Sequence, residues 1–148
     1  MTQPPLEKLI RAYLEVDERM RGLPIYNSAL KVSALNFRPH QDCWLGILIS
    51  PWFINLALLP QNPAAWDSFQ VGERKIWEFP GATLDFLVCD LDDFGKLQSC
   101  SLFSTVFAFN AQEEVEEGAK LLMHQILTGE SPTEEKKVDR RALLRGKF

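Results

Sequence analysis

The longest run of apolar positions in the chain spans residues 44–59, and the dipeptide Ser50-Pro51 divides it. The run alternates apolar with polar residues only weakly, which is typical of strands that are covered on both faces. The β-branched residues Ile47 and Ile49 also favour strand over helix. We reject a membrane-spanning helix because the run is shorter than the roughly 18 apolar residues required and contains a proline. We therefore predict two buried strands that meet at Pro51.

A helical pattern precedes this run and a second one follows it. Residues 5–21 show apolar side chains at helical spacing, with Pro4 and Pro5 at the first turn and Gly22 after the last. The second helix is predicted to begin at Asn110, with Glu113 completing a capping box, and to stop at Gly129. Its apolar face consists of Val115, Ala119, Leu122, Met123 and Ile126.

Between the two helices the hydrophobic period is two, which indicates strands. We predict strands at residues 30–37, 44–50, 53–59, 74–79, 82–89 and 98–106, the first of them closed by Arg38-Pro-His40. The connections contain no helices, so the pairing should be antiparallel. The predicted fold is α+β: an N-terminal helix, an antiparallel sheet of five or six strands, and a C-terminal helix packed on the sheet. Residues 1–130 form one domain in this interpretation, and residues 131–148 form a basic and apolar tail.

Composition narrows the functional classes. The net charge of −4 and pI of about 5.2 argue against nonspecific nucleic-acid binding. The three cysteines, Cys43, Cys89 and Cys100, are odd in number and lack a disulfide spacing, which is typical of a reducing compartment. The first seven residues lack the features of a signal peptide, so we expect a cytoplasmic protein without a membrane span.

Few residues have the spacing that catalysis or metal binding requires. His40 and Cys43 form one metal-like pair, whereas structural zinc usually needs two such pairs, so we predict no metal or cofactor. Glycine-rich phosphate loops, nucleophile elbows and paired metal-binding histidines do not occur in the sequence. The spacing does not decide whether a Cys–His catalytic pair exists, because the members of such a pair need not be neighbours in sequence. Cys100 is the candidate for a thiol enzyme, and the alternative is that it is a small buried hydrophobe.

Several segments together resemble the HybE/HupJ family of [NiFe]-hydrogenase assembly chaperones. These are residues 44–60, Phe37-Arg-Pro, Val71-Gly-Glu, Phe79-Pro-Gly-Ala, residues 99–104, and Arg-Arg-Ala-Leu-Leu-Arg-Gly ending at Gly146. The chain departs from the family pattern at Thr105 and Val106, where Pro-Met or Pro-Leu is expected. Cys43 and Cys89 also match no cysteine of the family.

The resemblance implies a cytoplasmic, non-catalytic maturation factor. Such proteins attend the hydrogenase small subunit, which carries a twin-arginine signal peptide, and are thought to delay its export until assembly is complete. Family members also occur beside, or fused to, a rubredoxin-like protein, but this chain has no Cys-x₂-Cys module. The alternative is a small acidic chaperone for another secreted client.

A receptor for a twin-arginine signal needs carboxylates beside an apolar, aromatic groove. For the groove the sequence offers Trp44, Pro51, Trp52, Phe53 and Asn55, with Cys100 on a later strand. For the charge it offers Asp85, Asp90, Asp92 and Asp93, or the cluster Glu113–Glu117. Each feature has a structural alternative. The groove residues can be core, the aspartates can form turns, and the glutamates can compensate the helix dipole.

The tail is itself similar to a twin-arginine signal. Residues 139–145, which include Arg140 and Arg141, are similar to the consensus Ser-Arg-Arg-x-Phe-Leu-Lys. One hypothesis is that this segment occupies the client groove as a placeholder. The alternative is that Leu143, Leu144 and Phe148 pack on the sheet while the arginines pair with surface carboxylates.

Overall fold

The computed structural model describes residues 3–130, and these form two helices and one six-stranded antiparallel sheet. The elements are α1 (Leu6–Met20), β1 (Ser33–His40), β2 (Cys43–Ser50), β3 (Phe53–Pro60), β4 (Arg74–Phe79), β5 (Ala82–Leu91), β6 (Gly95–Ser101) and α2 (Gln112–Thr128). Short 3₁₀ turns lie at Pro63–Trp66 and Val106–Ala108. The strand order is β1-β2-β3-β6-β5-β4. The predicted α+β fold is confirmed, and the tail at residues 131–148 lies outside the described residues.

The central hairpin is the one predicted from the apolar run. Every residue of β2 is buried, and β2 pairs with β3 in unbroken register from Cys43 opposite Pro60 to Ser50 opposite Phe53. Ser50 Oγ accepts hydrogen bonds from the backbone N–H groups of Trp52 and Phe53, at 3.1 and 3.0 Å. These bonds satisfy a buried hydroxyl and fix the turn at Pro51.

The two helices cover opposite faces of the sheet. Leu45, Ile47 and Ile49 of β2 pack in one core cluster with Val115, Ala119, Met123 and Ile126 of α2. The alternate residues Trp44 and Leu48 pack with Leu9 of α1 in a second cluster. Because both faces of β2 are covered, its sequence is almost continuously apolar.

The sheet is strongly curled, so that its two edge strands approach each other. The ring of His40, at the end of β1, lies 5.9 Å from that of Trp77 and 5.2 Å from that of Phe79, both in β4. Helix α2 packs on the concave side and is tied to the β4–β5 turn, where the Gly81 N–H donates to the Ile126 carbonyl at 2.8 Å. This curvature leaves a cleft between β4 and the β1–β2 turn, at one end of the sheet.

Two predicted strands differ from the observed ones by three or more residues at both ends, and the first of these begins at Ser33 rather than residue 30. The first does not end before Arg38-Pro-His40, because these residues pair with β2 and Pro39 is tolerated on an edge strand. A register shift lies between Leu35 and Arg38, and Asn36 there has a φ of +58°. The last strand begins at Gly95 rather than residue 98 and ends at Ser101.

The predicted capping box of the second helix is also wrong. The helix begins at Gln112 after Ala111, which makes no side-chain cap, and the Asn110 N–H donates to Glu114 Oε1 rather than to Glu113. The start is fixed by tertiary contacts instead, since the Gln112 side chain accepts from the Lys31 N–H and donates to Ser33 Oγ. Gly129 ends the helix as predicted, with a φ of +74°. Neither helix in residues 3–130 has the length and apolar character needed to span a bilayer.

Candidate functional site

A cleft of about 1160 Å³ lies at the end of the sheet where β2 begins. Its walls are the β1–β2 turn, the 3₁₀ turn that follows β3, and the edge strand β4, with β6 contributing Gln98. Four segments that are distant in sequence therefore meet around one space.

Aromatic side chains form the apolar walls of the cleft. Trp66 ends the 3₁₀ turn, is 7% exposed, and stacks on Phe69 with ring centroids 5.6 Å apart. Trp77 of β4 donates its indole N–H to Gln98 Oε1 at 2.9 Å. Gln98 is 1% exposed, so a buried amide fixes the orientation of this indole.

The loop that carries Trp66 and Phe69 is held by two lysines. Lys96 Nζ donates to the backbone carbonyls of Trp66 at 3.1 Å and of Asp67 at 2.9 Å, and it also bonds to that of Phe69. Lys75 Nζ lies 3.9 Å from the centroid of the Phe69 ring. The aromatic wall is thus fixed in place before any ligand binds.

The positive charge at the cleft is paired, whereas two of its carboxylates form no salt bridge within residues 3–130. Lys75 Nζ is 2.9 Å from a carboxylate oxygen of Glu73, so its charge is compensated. The backbone N–H of Gln70 donates a hydrogen bond to the Glu73 carboxylate, which lowers the pKa of Glu73. The neighbouring Lys75 lowers this pKa further. Asp42 and Glu78 also line the cleft, and neither forms a salt bridge within residues 3–130. The cleft therefore carries an excess of negative charge.

Three of the residues predicted to form a groove lie together at the opposite end of the sheet. Trp52 stacks on Tyr26 with centroids 6.4 Å apart and meets Phe53 edge-on at 5.5 Å. Phe53 contacts Tyr13 of α1 at 5.3 Å. Pro51 is buried in the turn, and its carbonyl accepts from the Asn27 N–H at 2.7 Å.

Trp44 and Asn55 lie apart from this aromatic cluster. Trp44, at the start of β2, is 4% exposed beneath α1, and its indole N–H has no acceptor among the described residues. Asn55 is half-buried in β3 between Leu48 and Ser101.

The predicted carboxylates do not converge on one place. Asp85 is exposed on β5 and pairs with Arg74 at 3.7 Å. Asp90, Asp92 and Asp93 lie at the β5–β6 turn facing α1. Glu113 and Glu117 are exposed on α2, which covers the opposite face of the sheet. Arg140 and Arg141 lie outside residues 3–130.

The thiols of Cys43 and Cys100 have the opposite character to that of catalytic cysteines. Burial, and secondly the charge of Asp85, raise the pKa of the Cys100 thiol. Burial also raises the pKa of Cys43 to about 11. A nucleophilic cysteine requires a lowered pKa, because the thiolate is the reactive form. Within residues 3–130, no three His, Cys, Asp or Glu side chains are grouped so as to hold a metal ion.

Sequence reasoning missed the cleft. Asp42, Trp66, Trp77 and Glu78 belong to a turn, a loop and an edge strand, and no periodicity links them. The one available signal was Gln98, a polar residue that opens the last predicted strand.

Comparisons with known proteins agree on one family. The family model described as "[NiFe]-hydrogenase assembly, chaperone, HybE" matches residues 4–146. The hydrogenase expression/formation protein HupJ of Bradyrhizobium diazoefficiens is 33% identical over 93% of this chain and 85% of its own length. The probable rubredoxin HupJ of Rhodobacter capsulatus is also 33% identical, over 86% of this chain, which spans only 45% of that protein. The solution structure of HybE from Escherichia coli shares the fold, with a TM-score of 0.66 at 24% identity over 90% of this chain and 82% of that one.

Proposed function

The chain belongs to the HybE family of [NiFe]-hydrogenase assembly chaperones, and from this premise we propose that it binds the hydrogenase small subunit or its twin-arginine signal peptide. Binding occurs without turnover and delays export until assembly is complete. The protein acts in the cytoplasm, where a client with an uncleaved export signal is found. A rubredoxin-like protein is a further proposed partner, since one relative of this chain is named a probable rubredoxin.

The observation that carries this proposal is the cleft between β4 and the β1–β2 turn. Its volume of about 1160 Å³ exceeds the usual range of about 300–1,000 Å³ for small-molecule sites. It combines aromatic walls with carboxylates that have no cationic partner among the described residues. These are the features that a basic and apolar peptide requires.

The edge strand β4 adds a way to bind an extended chain. β4 pairs with β5 on one side only, and the other side borders the cleft. Unpaired backbone N–H and C=O groups of an edge strand can take up a peptide as an additional strand. Main-chain bonds of this kind supply affinity, while the side chains of the cleft supply specificity.

We expect calorimetric titration with a small-subunit twin-arginine signal peptide to show binding in the micromolar range or tighter, on the order of −8 kcal/mol. A peptide with Lys-Lys in place of Arg-Arg should bind about tenfold more weakly, because lysine cannot form the bidentate guanidinium fork. The Lys-Lys peptide has the same charge and therefore controls for nonspecific attraction to the acidic protein. If neither peptide gives a binding signal while the protein still captures the folded small subunit, the protein does not recognise the signal peptide.

Removal of residues 131–148 is expected to tighten signal-peptide binding by up to about tenfold, because a tethered competitor acts at millimolar effective concentration. These residues hold six of the chain's 16 basic and three of its 20 acidic residues, so residues 1–130 hold ten and 17, a net charge of −7. The tail thus carries a net positive charge, and its Arg-Arg-Ala-Leu-Leu sequence is similar to the Arg-Arg-x-Phe-Leu of the twin-arginine consensus.

The matched control for this truncation is the full-length variant R140K/R141K, which keeps the charge of the tail. It should recover most of the gain in affinity if the guanidinium groups compete for the cleft. Equal affinities for the full-length, truncated and lysine-substituted proteins, all with the same melting temperature, would rule out the placeholder hypothesis.

A further inference from the structure

We infer that the cleft is an arginine-recognition site, in which the exposed carboxylates of Asp42 and Glu78 at its rim bind the guanidinium groups of an extended peptide. This assignment rests on the proposed function and names the subsite and the chemistry by which a twin-arginine peptide would be read. The cleft lies at the opposite end of the sheet from the Trp52–Phe53 cluster, so the two locations can be tested separately.

The charge balance of the cleft selects a cation. Asp42, Lys75 and Glu78 are the acidic and basic residues that line it, and Lys75 is already paired with Glu73 at 2.9 Å. Asp42 and Glu78 form no salt bridge with any residue between 3 and 130. An anionic ligand would be repelled by both carboxylates, whereas a cation gains charge-assisted hydrogen bonds from them.

The walls favour guanidinium over ammonium. A planar guanidinium can lie flat on an aromatic side chain while its edge forms two parallel hydrogen bonds to one carboxylate, whereas an ammonium group makes only point contacts. Trp66 and Trp77 both line the cleft. The third aromatic wall already contacts a cation, since Lys75 Nζ lies 3.9 Å from the centroid of the Phe69 ring.

The edge strand β4 indicates that the ligand is an extended peptide. β4 pairs with β5 on one side only, and its residues Lys75 to Glu78 line the cleft. Unpaired backbone N–H and C=O groups of an edge strand can bind an extended chain as an additional strand. Gln98 is 1% exposed and accepts the indole N–H of Trp77, which fixes that side chain on β4.

A direct test uses acetyl-Arg-Arg-amide as the probe and the four indole N–H signals of ¹⁵N-labelled protein as reporters. The Trp66 and Trp77 signals should shift in a saturable manner, while those of Trp44 and Trp52 stay in place. Acetyl-Lys-Lys-amide should cause smaller shifts at the same concentration. Shifts confined to Trp52, or the same response to both dipeptides, would overturn the assignment.

The double variant D42N/E78Q should bind the signal peptide about tenfold more weakly, because it loses two charge-assisted acceptors. The control variant E7Q/E18Q makes the same change in net charge on the exposed face of α1 and should bind like the wild type. If the wild type prefers Arg-Arg but D42N/E78Q binds equally well, the cleft assignment is wrong and the proposed function stands. If the wild type binds neither signal peptide, recognition of the signal peptide is ruled out, and the dipeptide titration still decides the cleft assignment.

Discussion

Replacement of Gly81 by alanine is expected to destabilise the protein by about 3 kcal/mol, at the upper end of the range for overpacked sites. A Cβ atom at residue 81 would overlap the backbone carbonyl oxygen of Gln125 and lie 3.0 Å from that of Ile126. Neither oxygen can rotate away, because both belong to the last turn of α2. The substitution therefore pushes the helix off the β4–β5 turn and strains the 2.8 Å hydrogen bond from the Gly81 N–H to Ile126.

Gly118 provides the matched control for this experiment. It lies within α2, and an added Cβ would meet only ordinary contacts, the nearest at 3.5 Å from the Phe109 ring. Gly118→Ala should stabilise the protein by about 0.5–1 kcal/mol, because alanine has the higher helix propensity. Urea denaturation followed by circular dichroism measures both variants. A Gly81→Ala protein as stable as the wild type would show that α2 and the turn are not packed as described.

The result bears on the Phe79-Pro80-Gly81-Ala82 sequence by which the chain resembles its family. Pro80 and Gly81 are the residues of the β4–β5 turn that touch the end of α2. Because β4 is also a wall of the cleft, the contact couples the position of the helix to the geometry of the site. We expect the motif to be structural, with its effect on binding exerted through β4.

Gly46→Ala is expected to cost about 2–3 kcal/mol. Gly46 lies in the buried strand β2 opposite Ala57, and the ring of Phe37 lies directly over it. An added Cβ would overlap the Phe37 Cγ and would lie 2.6 Å from Cδ2, so the ring has to move. Phe37 sits at the register shift of β1 and packs in the cluster beneath α1, which restricts that movement. Urea denaturation of the variant measures the cost.

A double-mutant cycle with Phe37→Ala separates this clash from any general effect on the strand. Phe37→Ala alone loses the packing of the ring, whereas the double variant has room for the new methyl group. The two substitutions should therefore be less than additive, with a coupling energy of about 1 kcal/mol or more. Strictly additive costs would mean that the ring does not rest on Gly46.

The sequence was sufficient for the elements whose burial is complete. Residues 44–59 are apolar at nearly every position because both helices cover them, and such a run predicts buried strands without any knowledge of the partners. The helix faces were equally readable, since Val115, Ala119, Met123 and Ile126 all lie in the core. The prediction was wrong where tertiary contacts set the boundary, as at Gln112, whose side chain bonds to Lys31 and Ser33.

The resemblance to hydrogenase assembly chaperones was also available from the sequence, because it rests on contiguous motifs. The cleft was not, because Asp42, Trp66, Trp77 and Gln98 come from four separate segments. Periodicity reports how deeply each residue is buried, but it does not report how far a sheet curls. That curl follows from the packing of α2 and from the contact of His40 with β4, and only the tertiary structure contains it.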